Sequence, residues 1–242
     1  DQTFQCEALP GGRVGHKVRG FGKPIRDDPT DKVPHGDVDL AKGVRVSCNA
    51  YFAQLGTLEV GAAQLLETAN LLGITTAQPN SAEQLQLSIP QASYGQGQVT
   101  VTPFTMARVG ATIANGGRMP QGRWVADESN DRKAEPLEIL TGPPIHILQD
   151  AMRQVATQGT AFFLADRQPP IAGKTGTAEV KDKKSHSWFV AYAPYGAPEG
   201  SRHLAVAVVV EHGGYGGRLA APAAAEILEA AAELGLFRAA VN

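Results

Sequence analysis

The sequence predicts an α+β fold, with a mainly helical part over residues 36–160 and an antiparallel sheet closed by a C-terminal helix over residues 161–242. Three observations support this fold class. Apolar residues recur at helical spacings in the first part, three strand-like runs follow in the second, and an alanine-rich amphipathic stretch comes last. Helices and strands that occupy separate parts of a chain are typical of α+β proteins. We expect both parts to belong to one domain.

Residues 1–34 are rich in glycine, proline and charge without a sustained period, which predicts extended segments and loops. From Gly36 to residue 55, apolar residues stand at mixed helical spacings. Residues 60–72 form a second candidate helix, which Gly73 is expected to end. Residues 78–101 show no clear period and are predicted to form a loop.

A third helix is predicted to begin at Pro103, because proline is favoured at the first helical position. Asn115-Gly116-Gly117 is expected to end it, since these residues tolerate a positive φ. Residues 118–141 are predicted to form an irregular insert or a small ribbon. After them, the pattern predicts another amphipathic helix, three strands rich in β-branched and aromatic residues, and a terminal helix. The predicted ranges are 144–158 for the helix, 171–180, 187–195 and 204–212 for the strands, and 219–237 for the last helix.

Length and composition indicate a globular protein. At 242 residues the chain can form one large domain or two small lobes around a sizeable core. Its 43% hydrophobic and 19% charged content is ordinary, and a net charge of -2 gives no nucleic-acid footprint. The apolar run at 204–210 is too short to span a bilayer, and no signal peptide is visible. Because the chain begins with Asp1 instead of methionine, we expect a piece of a longer protein.

The most specific chemical motif is Lys174-Thr175-Gly176-Thr177, within the first predicted strand of the sheet. Lys174 would supply a positive charge that suits an acidic substrate terminus. Thr175 and Thr177 can donate hydroxyl hydrogen bonds to a carboxylate, and Gly176 lets another backbone approach the strand closely. An extended peptide would then add itself to this strand, with the Thr177 N–H as one oxyanion donor. The alternative interpretation is a polar turn or strand edge on the surface.

A second motif, Ser47-Cys48-Asn49, precedes an amphipathic run. If these residues occupy a loop or a first helical turn, the Ser47 hydroxyl and the Asn49 amide can point into one cleft. The alternative is that Ser47 is a helix cap and Asn49 a solvated polar residue. Beside the Lys174 motif, we favour the functional interpretation.

Together, the two motifs resemble the second and third active-site motifs of penicillin-binding transpeptidases and serine β-lactamases. Further segments in the same order resemble class B penicillin-binding proteins in particular. They are residues 35–40, 47–52, 94–97 with 101–104, 113–117 and 186–194. The first motif of that family, Ser-x-x-Lys, carries the nucleophile, and no serine of this chain is followed three residues later by lysine.

The resemblance implies a peptidoglycan D,D-transpeptidase domain that cross-links D-Ala-D-Ala stem peptides and is acylated by β-lactams. Ser47 and Asn49 would relay a proton and bind substrate, Lys174 would act electrostatically, and Thr175, Gly176 and Thr177 would bind substrate. The resemblance further implies a parent anchored by an N-terminal helix at the extracytoplasmic face of the bacterial membrane. Its partners would be stem peptides, β-lactams and membrane-embedded cell-wall synthesis proteins, without nucleic acid and without a cofactor.

The missing nucleophile leaves alternatives open. We expect the Ser-x-x-Lys segment to lie upstream of Asp1 on the parent, so that this chain alone is inactive. A catalytically dead binding or scaffolding module would also lack the motif, although such a module has no reason to keep the other two motifs. A β-lactamase or β-lactam sensor shares the fold, but no deacylating acidic residue can be assigned.

The two cysteines, Cys6 and Cys48, allow three arrangements. They are compatible with a disulfide, because the resembled family works outside the cytoplasm. With His35 and one of Asp27, Asp28 or Asp31, they also have the chemistry of a zinc site, and elongation-type relatives use a Cys/Asp/His cluster in this region. Two buried free thiols are the third arrangement. We therefore assign no metal ligand from the sequence.

Overall fold

The computed structural model describes residues 2–123, 135–198 and 201–237, and the chain divides into two compact units, Asp1–Val101 and Thr102–Asn242. This division falls earlier than the predicted boundary at residue 160, because helices α6 (Pro103–Ala114) and α7 (Pro143–Gln158) pack against the sheet of the second unit. No helix among the described residues combines the length and hydropathy needed to cross a membrane.

The first unit contains a four-stranded antiparallel sheet with the order β3-β2-β1-β4. The sequence predicts extended segments here but not their pairing. The register sets Cys6 opposite Gly36, which brings the segment around His35 next to β1. The strands are β1 (Phe4–Leu9), β2 (Arg13–His16), β3 (Ile25–Arg26) and β4 (Gly36–Val38).

The helices of the first unit follow the sheet. The predicted helix at 60–72 is present as α3, and Gly73 ends it with a φ of 76°. The predicted loop at 78–101 is wrong in part, because it contains two helices of five and four residues, too short to give a period. The elements are α1 (Leu40–Val46), α2 (Asn49–Leu55), a π-helical turn (Gly56–Val60), α3 (Gly61–Leu72), α4 (Ala82–Gln86) and α5 (Ile89–Ala92).

The second unit has a three-stranded antiparallel sheet, as predicted, and its strand order is β7-β8-β9. The start of α6 is also as predicted, with Pro103 at the first position and the Thr102 side chain accepting the Thr105 N–H. Part of the predicted insert, residues 124–134, lies outside the described residues. The remaining elements are β5 (Arg118–Met119), β6 (Leu137–Glu138), a 3₁₀ turn (Phe162–Leu164), β7 (Ala172–Val180), β8 (Lys183–Ala193), β9 (Leu204–Val210) and α8 (Ala220–Glu233).

Strand β7 lies at one edge of this sheet. Helix α7 packs on β7, and α8 packs on β8 and β9. The central strand β8 carries fully buried residues such as Phe189 and Ala191. Within the described residues β7 pairs with β8 alone, so its other side is an edge of the sheet, where an extended peptide can add as a strand.

Candidate functional site

The Lys174-Thr175-Gly176-Thr177 motif lies in the middle of edge strand β7. Because side chains alternate along a strand, Thr175 and Thr177 share one face, and Lys174 shares the other with Gly176. Thr175 is buried, whereas the other three residues are partly exposed. The motif therefore places two hydroxyls on one face of the strand, while the cationic side chain of Lys174 extends along the strand.

Lys174 reaches along the strand, and its Nζ donates to the carbonyl oxygen of Thr175 at 2.9 Å. Burial lowers the pKa of Lys174 to about 8. Desolvation disfavours the charged form of an amine. The ammonium is therefore the predominant form at neutral pH, and it loses its proton more readily than a surface lysine does.

The Thr175 hydroxyl lies 2.6 Å from the hydroxyl of Thr160, in the turn that follows α7. Sequence reasoning missed Thr160. No pattern marks a single threonine that is neither part of a motif nor on an amphipathic face. Only the packing of α7 on β7 brings this turn to the motif.

A glycine-rich segment, residues 213–217, lies against the same strand. The Gly216 N–H donates to Thr177 Oγ1 at 3.5 Å, a long contact. Ser187, which is fully buried and pairs with Thr177 across the sheet, anchors the segment. Its hydroxyl donates to the Tyr215 carbonyl at 3.0 Å and accepts the Ala220 N–H at 3.1 Å. Sequence analysis missed this anchor, although a serine within an apolar strand is a weak signal of one.

Gly216 explains why the segment is rich in glycine. A Cβ at this position would lie 2.4 Å from the carbonyl oxygens of Gly176 and Trp188, and 2.9 Å from the Gly176 nitrogen. These atoms belong to the backbone of two paired strands, so displacing them has a high cost in free energy. The close backbone approach expected at Gly176 is thus made, within the described residues, by Gly216.

Replacing Gly216 with alanine is expected to displace this segment and to lower the free energy of unfolding by about 2–3 kcal/mol, because overpacking forces the backbone apart. Urea denaturation of the purified chain measures this change. The matched control is Gly214→Ala in the same segment, which has φ +81° and no heavy atom within 4 Å of its Cβ position. For Gly214→Ala the expected loss of stability is only the cost of placing alanine in the left-handed conformation, about 1 kcal/mol. Equal losses for the two variants would contradict the proposed close approach.

The Ser47-Cys48-Asn49 motif lies between two helices of the first unit. Ser47 ends α1 in the left-handed conformation, with φ 60° and ψ 46°, and Asn49 is the first residue of α2. A non-glycine residue in this conformation is uncommon and stores local strain, which is frequent at functional sites. Ser47 and Asn49 are partly exposed on either side of the buried Cys48.

The Asn49 side chain has a structural contact as well, since its Nδ2 donates to the Arg26 carbonyl at 3.1 Å. Ser47 is the C-cap of α1 through its backbone N–H, and the N-cap of α2 is Cys48. These contacts fix the motif against β3. The chemical role of the Ser47-Cys48-Asn49 motif remains a prediction.

Cys48 belongs to a compact cluster with Cys6, Asp27 and His35. Asp27 Oδ2 lies 3.0 Å from Cys6 Sγ, 3.3 Å from Cys48 Sγ and 3.4 Å from His35 Nδ1. Cys6 Sγ lies 3.5 Å from His35 Nδ1. The other Asp27 oxygen accepts the N–H groups of Asn49 and Ala50. One carboxylate thus connects the cluster to the start of α2.

The two cysteines are free thiols in the structure, so the disulfide considered from the sequence is not formed. The fourth cluster residue is Asp27. The Asp28 carboxylate instead accepts hydrogen bonds from Thr30. Asp31 lies on the far side of the imidazole, 3.7 Å from His35 Nε2.

The cluster fits a tetrahedral zinc ion. Zinc–ligand bonds of 2.0–2.3 Å imply ligand–ligand distances of about 3.3–3.8 Å. Four of the six ligand pairs here are 3.0–3.5 Å apart, and all the ligand atoms lie within 4.8 Å of one another. The Asp31 carboxylate lies beside His35 Nε2, in the position from which a carboxylate outside the ligand set orients a histidine ligand. Four protein donors fill a tetrahedron, so the arrangement is that of a structural site without an open catalytic position.

Hydrogen bonds and burial shift the pKa values of all four groups in the cluster. The hydrogen bond with Cys48, aided by one with His35, lowers the pKa of Cys6 to about 6, toward the thiolate that binds metals. Burial raises the pKa of Asp27, but hydrogen bonds with His35 and the thiols outweigh burial and hold it below the ordinary value. The hydrogen bond with Asp27 raises the pKa of His35 to about 10. The hydrogen bond with Cys6 and burial raise the pKa of Cys48, so its thiol keeps its proton. Without a metal the cluster therefore pairs the anionic Asp27 and Cys6 with a protonated His35, and zinc binding would release the protons of Cys48 and His35.

Comparison with known proteins gives a consistent result. The profile of the family described as "Penicillin binding protein transpeptidase domain" matches residues 15–229. The Mycobacterium tuberculosis protein named peptidoglycan D,D-transpeptidase PbpA is 32% identical over 254 residues, which cover 92% of this chain and 48% of that protein. The chain thus spans about half the length of this curated relative.

Two solved structures share the fold. A structure described as an imipenem acyl-enzyme complex of penicillin-binding protein A from M. tuberculosis has a TM-score of 0.67 and 25% identity, covering 95% of this chain and 55% of that one. A structure titled as the coordination of polymerization and crosslinking by a peptidoglycan synthase complex has a TM-score of 0.70 and 27% identity, covering 100% and 43%.

Proposed function

The chain belongs to the transpeptidase-domain family of class B penicillin-binding proteins, and we propose that it is part of a peptidoglycan D,D-transpeptidase. The observation that carries this proposal is the Lys174-Thr175-Gly176-Thr177 motif on edge strand β7, with two hydroxyls on one face of the strand and a partly buried cation on the other. The name of the M. tuberculosis relative supports the same activity. The substrate class is a stem peptide that ends in D-Ala-D-Ala.

The strand would bind the end of the stem peptide. The edge of β7 away from β8 would accept the extended peptide backbone as an added strand. The hydroxyls of Thr175 and Thr177 would donate to the terminal carboxylate, and Lys174 would lower the energy of that anion and of the charge that develops during attack. The Thr177 N–H would serve as one oxyanion donor.

The second motif would handle the proton and the substrate amide. Ser47 would relay the proton to the leaving D-alanine, and Asn49 would hydrogen-bond the substrate or the proton network. A serine attacks the carbonyl of the penultimate D-alanine, D-alanine leaves, and the acyl group passes to the amine of a neighbouring stem peptide. Splitting the transfer through an acyl-enzyme is the usual advantage of a nucleophilic residue.

The nucleophile is supplied, in this proposal, by a Ser-x-x-Lys segment encoded upstream of Asp1 in the parent gene. The supporting observation is that none of the serines of this chain has a lysine three residues later. Catalysis by the chain alone would lack the first step.

The test uses fluorescent penicillin on two proteins, the full-length parent and the 242-residue chain. We expect one stoichiometric adduct on the parent and none on the chain, measured by intact-mass spectrometry. An adduct on the chain would show that the missing motif is not needed. A parent without any adduct would indicate a scaffolding module, and rapid turnover of penicillin by the parent would indicate a β-lactamase.

Location and partners follow as part of the proposal. The parent would act at the extracytoplasmic face of the bacterial membrane, held by an N-terminal helix outside this chain. Membrane-embedded cell-wall synthesis proteins would be its partners, and the fold shared with a component of a peptidoglycan synthase complex supports this class. Labelled β-lactams would bind the same site as the stem peptide.

We also propose that the Cys6, Asp27, His35 and Cys48 cluster holds one structural zinc ion. The ion would supply folding energy and no chemistry on the substrate. Its support is the donor set and the near-tetrahedral spacing. Since Asp27 also accepts the N–H of Asn49, the cluster would hold the second motif in place.

A further inference from the structure

The turn after α7 presents Thr160 to the motif on β7. Its hydroxyl lies 2.6 Å from that of Thr175, and either oxygen can be the donor. The turn is well held, because the N–H of the fully buried Ala161 donates to the Val155 carbonyl at 3.0 Å. Thr160 itself is exposed, whereas Thr175 is buried. The pair therefore connects a surface hydroxyl to a buried one.

The number of protons on the two hydroxyls determines which hydrogen bonds Thr160 and Thr175 can make when a carboxylate binds. Each hydroxyl has one proton and two acceptor positions, and an ionised carboxylate only accepts. If Thr175 donates to the carboxylate, its proton is no longer directed at Thr160. The Thr160 proton can then point to the Thr175 oxygen, so that both hydrogen bonds run in one direction. Such chains polarise one another and strengthen the outer bond.

We propose that Thr160 is a positioning residue for the carboxylate site: by donating to Thr175 it directs the Thr175 proton at a ligand carboxylate. The proposal rests on the proposed function, in which Thr175 binds that carboxylate. The ligand class is an acyl-D-alanine carboxylate or the carboxylate of a β-lactam. Thr160 acts through Thr175 and does not need to touch the ligand.

Thr160→Val separates this role from packing. Valine keeps the shape of threonine and removes the hydroxyl, and because residue 160 is exposed, little stability depends on the change. Loss of one hydrogen bond in a chain is expected to weaken carboxylate recognition by about fivefold to tenfold. Thr160→Ser restores the hydroxyl. The matched control is Thr157→Val, in the last turn of the same helix, where the hydroxyl donates only to the Arg153 carbonyl at 3.2 Å.

The experiment measures second-order acylation rate constants of the full-length parent with benzylpenicillin and with its methyl ester. Wild type is expected to prefer the free carboxylate. Thr160→Val is expected to lose about fivefold to tenfold with benzylpenicillin and less than twofold with the ester. Thr160→Ser and Thr157→Val are expected to retain the wild-type ratio between the two compounds.

Each other outcome overturns the inference. Equal losses on both compounds would mean that Thr160 acts structurally, and unchanged rate constants with both compounds would mean that its hydroxyl has no role. The wild-type protein reports separately on the proposed function: if neither compound acylates the parent, the transpeptidase proposal fails and the role of Thr160 fails with it. If wild type reacts normally and only the variant ratio is unchanged, the transpeptidase proposal stands.

Discussion

Replacing Asp27 with alanine is expected to abolish zinc binding and to lower the free energy of unfolding by about 3–5 kcal/mol, the cost of breaking a buried charged network. Asp27 is 2% exposed, and its two oxygens receive both thiols, His35 and the first N–H groups of α2. At about 2–4 °C per kcal/mol for a chain of this size, the melting temperature should fall by roughly 10 °C.

The measurements are elemental analysis of the purified protein and thermal unfolding with and without a chelator. We expect one zinc per wild-type chain and none in Asp27→Ala. Because metal binding is coupled to folding, the chelator should destabilise wild type strongly and leave the variant unchanged. A wild-type protein that is purified with intact thiols and carries no zinc would contradict the metal site.

Asp28→Ala is the neighbouring control. Asp28 accepts hydrogen bonds from Thr30 in an exposed turn, so this variant should keep its zinc and lose about 1 kcal/mol or less. If both variants lose the metal equally, the loop as a whole matters and the assignment of Asp27 as the fourth ligand is wrong.

The sequence predicts only part of the metal cluster. Composition and resemblance pointed to Cys6, Cys48 and His35, because thiols and imidazoles are rare and chemically distinctive. They did not separate Asp27 from two other nearby aspartates. That choice depends on the pairing of β1 with β4 and on where the turn after β3 leaves the carboxylate, and both are long-range contacts.

The second unit, too, is predictable from the sequence only in part. The three strands of the antiparallel sheet and the motif on the first of them were predictable, since apolar periodicity and the motif letters are local signals. Thr160, Ser187 and Gly216 were missed, because each matters through one neighbour on another element. Helices α4 and α5 were missed for a different reason, since four or five residues contain little more than one turn.

Replacing Lys174 with methionine in the full-length parent is expected to lower the rate constant of acylation by benzylpenicillin by about 100- to 1000-fold, as for loss of one preorganised electrostatic contact in an active site. Methionine keeps the length of the side chain and removes its charge. Stopped-flow or quenched labelling with fluorescent penicillin measures the rate. The matched controls are Lys181→Met and Lys183→Met, exposed lysines at the hairpin between β7 and β8, where less than a twofold change is expected.

The pH dependence adds an independent check on the same side chain. Burial lowers the pKa of Lys174 to about 8, so its charge is present below that pH and is lost as the pH rises through it. If the ammonium is the active form, acylation of wild type falls above about pH 8. Lys174→Arg keeps a charge at all these pH values and should shift that fall to higher pH, even if its different shape lowers the maximal rate. A fall at the same pH in wild type and in Lys174→Arg would assign the titration to another group, and a Lys174→Met variant that reacts as fast as wild type would remove the electrostatic role of β7 from the proposed mechanism.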